Sequence, residues 1–522
     1  MTKGAELRSL FYLLPLLCLL LVSSPASAEK TRTIIFADMG NEPDEEQQMT
    51  HMMMYSNEFH LEGLIAVSGK YMNPDRKNGA HRNKLHPNLF DEIIAEYAKV
   101  RKNLMLHADG WPEVDYLYSI VKSGTLKYGI NATGKGKSTE GSLLVLESIK
   151  NNLIRGKLYI VVNAGSNTLA QALIDLSADQ SIPEAEKKKM IERIYVYENG
   201  AQDNSGAWIA KNYPDITWYR SNHQTYAYGG APNRKTKEPE GPYTWEPYPR
   251  TPQGQHQWTA KHVQHNHGPL GERFPDRNSG AATMEGGGTS PWIGLANHGL
   301  TDPWNMWWGG WGGRFSKEKH KNVMSRHRQI VNGTNFQGAV LVPAETTFKD
   351  FYVYEADSEV ETWTDPVHGE TFTNLKVPVW RFRRAMWNDF RARMDWCVED
   401  YENANHNPVA HLNGDASDDI LFVEAAPGDK IKLSAKGSTD PDGDKLAYNW
   451  WSYINAGTYA GGIHIQRSRS KRTSLLVPKD AEVGNQIHII LEVRDHKQIV
   501  ASPDSDEILP LIDYRRLVIN VK

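Results

Sequence analysis

The stretch from Thr33 to Lys70 constrains this chain more than any other. Thr33 to Ala37 is a short apolar strand, Asp38-Met39-Gly40-Asn41-Glu42-Pro43-Asp44-Glu45-Glu46 an acidic loop, Gln47 to Tyr55 an amphipathic helix, and Leu61 to Ser68 a second strand. Such a βαβ unit builds a parallel sheet, and ligands of parallel sheets sit beyond the carboxyl ends of the strands, where Asp38 and Asp44 fall. Carboxylates crowded into so few residues repel one another unless a cation or cationic substrate neutralises them. Hard cations such as Ca²⁺ take oxygen ligands of this kind, so the loop is expected to hold a divalent metal. Glu46 is better read as an anion favouring the positive end of the following helix. Asp38 closes a strand ahead of a glycine, out of reach of that helix end, and is read as functional. If Asp38 and Asp44 pointed apart with no shared hollow, the enzymatic reading would fall and sugar binding would remain.

The ends of the chain set its class. Residues 1–28 have Lys3 and Arg8 ahead of the apolar run Leu10 to Val22 and close on Ala26-Ser27-Ala28, the pattern of a cleavable secretory signal, which predicts a secreted or periplasmic protein. That run is shorter than the ~20 residues of a bilayer-spanning helix, and no later stretch qualifies, so no membrane span is expected. Cys18 leaves with the signal and Cys397 remains alone, so no internal disulfide is expected. Removing Lys3, Arg8 and Glu6 from 59 basic and 63 acidic residues leaves 57 and 62, a net charge of −5 that offers nucleic acid no basic face. The 16 Trp and 23 Tyr lean toward a carbohydrate or glycoside ligand, since aromatic rings stack on sugar faces, although they also fill cores. Oligomeric state is not legible.

Strands and helices continue to alternate after the first unit, which predicts an α/β fold with a Rossmann-type parallel sheet. Asp91 to Val100 has helical spacing, Leu104 to His107 reads as a short strand, and Ser138 to Ser142 supplies hydroxyl caps for a helix through Ile149. Lys157 to Val162, the small-residue loop Asn163 to Asn167 and a helix from Thr168 to Ile174 repeat the unit. A further strand, Arg193 to Tyr197, leads into Glu198, Asn199, Gln202, Asp203 and Asn204, polar groups able to grip hydroxyls at the same sheet edge.

From Tyr226 to about Asn278 the chain is rich in Pro, Gly and His, as in a functional excursion. His262, His265 and His267 lack the partners of a zinc site, and His267 is read as lining a cleft. Glu285 to Trp292, Asn297 to Pro303 and Trp307 to Arg314 place glycines beside tryptophans, which reads as a loop presenting flat aromatic faces. Val379 to Tyr401 closes the large domain. Beyond the linker Asn405 to Pro408, short alternating strands at Lys430–Ser434, Ala447–Trp451, Ser474–Val477 and Gln486–Val493 predict an antiparallel sandwich. The turn Gly437 to Asp444 is read as a solvated acidic turn, with a structural Ca²⁺ as the rival.

These residues together resemble a known family. Asp38 to Glu45, Tyr55 to Phe59 running into Glu62-Gly63-Leu64-Ile65, Asn167 to Leu173, His267 to Gly271 and Trp308 to Arg314 are similar to nucleoside-hydrolase-like proteins that include a cellulose-binding protein. Ser438 to Asp444 looks like a mark of polycystic-kidney-disease-type sandwich modules. The resemblance implies a nucleoside-hydrolase-like domain over 30–402 and an Ig-like β-sandwich over 409–522. It also implies a glycosyl-bond hydrolase in which Ca²⁺ assists water attack at an anomeric carbon, or a carbohydrate binder that kept the fold without the chemistry. On the hydrolase reading Asp38 is general base and metal ligand; Asp44, Glu45, Asn167 and Asp302 are further metal ligands; Asn41, Asn199, Gln202, Asp203, His267 and Glu285 contact substrate. Trp308 and Trp311 form the sugar platform. The chain departs from true nucleoside hydrolases at Glu45, where Asp is usual, at Lys70, where a ribose-binding Asn is usual, at Gly288, where relatives carry an acid, and in a longer Asp38–Asp44 loop. Nucleoside specificity is therefore not expected.

Overall fold

A computed structural model describes residues 30–72, 80–229, 240–275, 287–296, 299–325, 345–496 and 510–522. The proposed signal and Glu285 lie outside the described residues. The main sheet comprises β1 (Thr31–Ala37), β2 (Phe59–Ala66), β3 (Val121–Ser123), β4 (Leu158–Val162), β5 (Ile194–Asn199), β6 (Thr217–Ser221), β7 (His320–Lys321) and β8 (Tyr352–Glu355), in the order β3-β2-β1-β4-β5-β6-β8-β7. All its pairings are parallel except β7 with β8.

Its strands read as unbroken apolar runs because both faces are buried. In β1, Ile34 and Phe36 enter one core with Leu158, Ile160 and Val162 of β4, while Ile35 and Ala37 enter the other with Tyr159 and Val161. That alternation is the two-residue period of a strand, used here to fill two layers rather than one. The second layer includes the helix Val377–Asp395 and runs on into Tyr453, Ile490, Tyr514 and Val518 of the C-terminal region, so the two parts of the chain share one apolar cluster.

The C-terminal region folds as a four-stranded sheet, Leu421–Ala425, Ile512–Val521, Gln486–Arg494 and Ala447–Ser452, facing a three-stranded one built on Lys430–Ser434, Arg472–Leu476 and Ile465–Gln466. The sandwich is not wholly antiparallel, because Leu421–Ala425 runs parallel to the last strand. Asp440 folds the acidic turn on itself by accepting from the amides of Asp442 and Asp444, and Asp442 is taken up by His406.

Two local expectations need correction. Leu104 to His107 is the end of the helix Asn88–His107, not a strand: no breaker separates it from the preceding periodicity, and only Leu104 of its three apolar residues is buried. The first helix begins at Pro43, not Gln47, so Asp44, Glu45 and Glu46 occupy its first turn. Proline is suited to that position, since its missing N–H has no helical partner to lose. Thr139 and Ser142 do cap the helix Glu140–Lys150 reciprocally. Among the described residues no helix is long and apolar enough to cross a membrane.

Candidate active site

β1 is hydrogen-bonded to β2 on one side and to β4 on the other, so the strand order reverses between β1 and β4. A crevice opens at such a point, outside the carboxyl ends of both strands. Asp38 leaves β1 there, and Asn163 to Ser166 leave β4. A Cβ built on Gly69, which follows β2, would stand 3.0 Å from Ala164 Cβ, 3.4 Å from Asp38 Oδ2 and 3.8 Å from Gln202 Oε1. The loops after β1, β2, β4 and β5 therefore meet at one place, which only a residue without a side chain leaves open.

Asp38 is fully buried. The turn that holds it is closed by Asn41, whose amide N–H donates to the Asp38 carbonyl at 3.0 Å and whose side-chain Nδ2 donates to Asp38 Oδ2 at 3.0 Å. Burial, with the charge of Asp44 beside it, pushes the Asp38 carboxyl from 3.8 up to about 7; a hydrogen bond with Glu45 works against the rise. Glu45 is pushed well above the usual carboxylate range by burial, then by Asp44 and Asp38. Asp38, Asp44 and Glu45 thus share one hollow and feel one another's charge. Glu46 turns away to an ion pair with Arg273.

Several oxygens around this hollow lack partners. Asp38 Oδ1, Asn41 Oδ1, Asp44 Oδ1, Glu45 Oε2 and Asn163 Oδ1 are all buried without a hydrogen bond. Buried polar groups are ordinarily paired, since an unpaired one costs about 1–3 kcal/mol. A cluster of such oxygens at one crevice is a place for ordered water or a cation. Hard oxygen donors of mixed carboxylate and amide type fit Ca²⁺ in chemistry. Among the described residues no three His, Cys, Asp or Glu side chains already surround a point that could hold a metal, so any such set would draw on the amides as well.

The other predicted residues divide. Gln202 reaches the hollow, with Oε1 unpaired. Asn199, 4 % exposed with Oδ1 unpaired, lies beside Gly287 and Tyr226 at the rim. Asn167 starts the helix Asn167–Ala178 and spends its Nδ2 on the Lys127 carbonyl. Asp203 is not free to grip a substrate: its oxygens accept from the backbone N–H groups of Gly129 and Ser205. Glu198 is held on one side only: its Oε2 accepts from Trp218 Nε1 and Arg220 Nε, while its Oε1 is buried without a hydrogen bond. His267 bonds through Nε2 to Asp395 at the end of the helix Val377–Asp395, which makes it a fastener between two helical segments.

Asp302 belongs to the other end of the sheet. It accepts from the Trp304 amide, and the Trp304 ring packs on Tyr195 at 4.8 Å and under the Lys157 ammonium at 4.7 Å, both at the amino ends of their strands. Three to four residues of strand, on the order of 10–13 Å, separate that level from the acidic hollow. Trp308 and Trp311 are 5 % and 1 % exposed and cannot offer a ring face to a sugar; they pack against His488 and Tyr514 of the C-terminal region. Loop position in sequence did not reveal that a second domain covers them.

Two residues join the site that sequence reading did not single out. Asn163 is 1 % exposed with both amide atoms unpaired, and Gln48 has Nε2 unpaired while its Oε1 accepts from Trp292. Both lie within about 3 Å of where a Gly288 side chain would be. The position of Asn163, first after an apolar strand at the sheet edge, was the available signal. Lys70, also buried, is brought down to about 7 by desolvation against the opposing pull of Glu345.

Residues 32–315 match the model of the family described as cellulose-binding Sde182, nucleoside hydrolase-like domain. The chain belongs to this family. Residues 430–521 match the cellulose-binding protein Sde0182 C-terminal domain. A solved nucleoside hydrolase-related protein from Saccharophagus degradans, described as associated with carbohydrate metabolism, is 31% identical with a TM-score of 0.72, covering 94% of this chain and 100% of its own. Two endo-fucoidan hydrolases of glycoside hydrolase family 107 align at 10% identity and a TM-score of 0.15, covering 94% of this chain and 80% and 67% of theirs, a likeness that carries no argument. No curated protein matches. Membership in the Sde182 family accounts for the α/β sheet followed by a strand-rich domain.

Proposed function

We propose that this Sde182-family protein is a secreted or periplasmic hydrolase of N- or O-glycosyl bonds, acting on a glycan fragment or related glycoside. The observation that carries the reading is the buried trio Asp38, Asp44 and Glu45 at the sheet's switch point, ringed by unpaired oxygens. Asp38, fixed by Asn41 and set beside the unpaired oxygens, is the group to take a proton from water as it attacks the anomeric carbon. Asp38, Asp44 and Glu45, with the amide oxygens of Asn163 and Asn167, would hold Ca²⁺. Bound there, the ion would neutralise the crowded charges and make water more acidic. Asn41 fixes the Asp38 carboxyl, while Gln202 and Asn199 have free amide oxygens to orient sugar hydroxyls.

One observation favours a second reading, carbohydrate binding without turnover: Asp302, the late carboxylate of the implied metal set, lies out of reach. The family's description as cellulose-binding points the same way. The test is to incubate the mature protein with a panel of oligosaccharides and nucleosides, with and without chelator, beside Asp38→Asn. The hydrolase reading expects cleavage that is lost with chelator and falls about 10²–10⁴-fold in the variant. Cleavage indifferent to both, or saccharide binding without cleavage in either protein, would end it.

A further inference from the structure

A cavity of about 450 Å³ lies between the hairpin Glu361–Thr364/Thr371–Asn374, the helix Val377–Asp395 and the strands Ala447–Ser452 and Gln486–Arg494. That volume is in the range of small-ligand sites. The cavity shares no residue with the acidic hollow. Its walls have the opposite charge: Arg381, Arg384, Arg469 and Arg494 face it against a single carboxylate, Glu492.

The arginines are incompletely satisfied. Arg381 pairs with Glu361 at 2.7 Å and Arg384 with Asp365 at 3.2 Å, yet the Nε of each is buried without a partner. Arg494 is 7 % exposed, also has an unpaired Nε, and shares its strand with Glu492 two residues earlier. Glu492 is already occupied on both oxygens: Oε1 accepts from Trp451 Nε1 at 2.8 Å and Oε2 from Asn449 Nδ2 at 3.1 Å. It therefore fixes the edge of the Trp451 indole, while its charge also meets those of Arg494 and Arg381. The unpaired Nε–H groups of Arg381, Arg384 and Arg494 leave donor capacity unmet at these walls, and the guanidinium fork matches carboxylate and sulfate oxygens. Half-buried Trp451 and Trp363 add apolar ring surface to the same walls.

We propose that this junction is a second binding site, one that takes an acidic saccharide: a sugar ring against Trp451 or Trp363, with its carboxylate or sulfate on Arg494 and the arginines facing it. The hydroxyl and amide groups of Thr362, Ser452 and Asn388, which also line the cavity, suit a polyhydroxylated ligand better than a flat base. The site stands independently of hydrolysis at Asp38.

The test is calorimetric titration of the full mature chain with a disaccharide ending in glucuronate, with the same disaccharide sulfated instead, with cellobiose and with adenosine monophosphate. The acidic disaccharides are expected to bind at least about tenfold more tightly than cellobiose. Whichever of the two binds better identifies the acidic group. Arg494→Gln and Arg469→Glu should each weaken that binding about fivefold or more, while Asp38→Asn leaves it unchanged. Arg469 is exposed at the rim, so its variant tests the site even if Arg494→Gln fails to fold. Equal affinity for cellobiose, tighter binding of the nucleotide, indifference to Arg469→Glu in a folded protein, or loss on Asp38→Asn would each overturn the proposal.

Discussion

The acidic hollow and the tryptophan–glycine segment 299–315 look alike as sequence, each a loop of unusual composition, and the structure separates them by what their polar groups do. At the hollow, buried oxygens of Asp38, Asp44, Glu45 and Asn163 have no partner. In the segment, the carbonyls are claimed. Arg516, fully buried on the last strand of the C-terminal region, donates to the carbonyls of Leu300 at 2.6 Å, Trp308 at 3.0 Å and Gly309 at 2.8 Å. Gly309 has φ +71°, and a Cβ there would stand 2.6 Å from the Tyr453 hydroxyl. Its lack of a side chain serves domain packing, not ligand approach. Trp308 Nε1 is unpaired there too, but it is a lone N–H inside a packed junction, whereas the hollow gathers several unpaired oxygens of the kind a cation or a hydroxyl can meet.

Removing the clamp gives the largest effect on stability. Arg516→Ala would leave three buried carbonyls unpaired and a void at the junction, a loss of about 3–5 kcal/mol in urea unfolding. Burial already holds the Arg516 guanidinium down to about 10, so its charge is poorly solvated and the bonds it makes are what retain it. The same variant, where folded, should keep any Ca²⁺ response of the hollow. Loss of that response would show that the two regions are coupled.

The hollow should behave in the opposite sense, because its charges oppose folding. Unfolded Asp38 gives up its proton near 3.8 and folded Asp38 only near 7, so the folded state holds more protons between those values and stability falls as pH rises through that window. The fall amounts to at most about 4 kcal/mol. Asp38→Asn should therefore raise the melting temperature at pH 8, leave it little changed below pH 4, and flatten the profile between. A profile as steep in the variant as in the wild type would remove Asp38 from the cause.

The sheet was legible from sequence where its strands are unbroken apolar runs, as in Ile34 to Ala37 and Leu158 to Val162, and not at Thr217–Ser221, which is buried but has Thr, Arg and Ser among its five residues. Lys430–Ser434 was placed residue for residue by its alternation. Tyr352–Glu355 was not, being four residues long and polar at both ends. Within the site, Asp38, Asp44 and Glu45 were visible because like charges crowded after a strand demand a counter-charge. Asn163 and Gln48 were not, because an amide gives no such signal until its lack of partners is seen. Asp302, Trp308 and His267 failed for a common reason: a loop's neighbours are set by how far its strand runs and by what the C-terminal region covers, and neither is written in the loop.

Asp302 gives the smallest effect and the sharpest control. Its two oxygens accept from the Trp304 amide at 2.9 Å and Asn305 Nδ2 at 2.7 Å, so Asp302→Asn should cost about 1 kcal/mol, the worth of one side-chain hydrogen bond. Calcium that binds the folded hollow stabilises the protein by about 2.7 kcal/mol when present at a hundred times its dissociation constant. In Asp302→Asn that increment should survive whole, and in Asp44→Asn it should shrink toward zero, both read as the shift of a thermal melt on adding Ca²⁺. If Asp302→Asn abolished the increment instead, the carboxylate at the amino end of the sheet would have to reach the hollow in solution. The division of the molecule into a ligand-waiting edge and a packed junction would then fail at that residue.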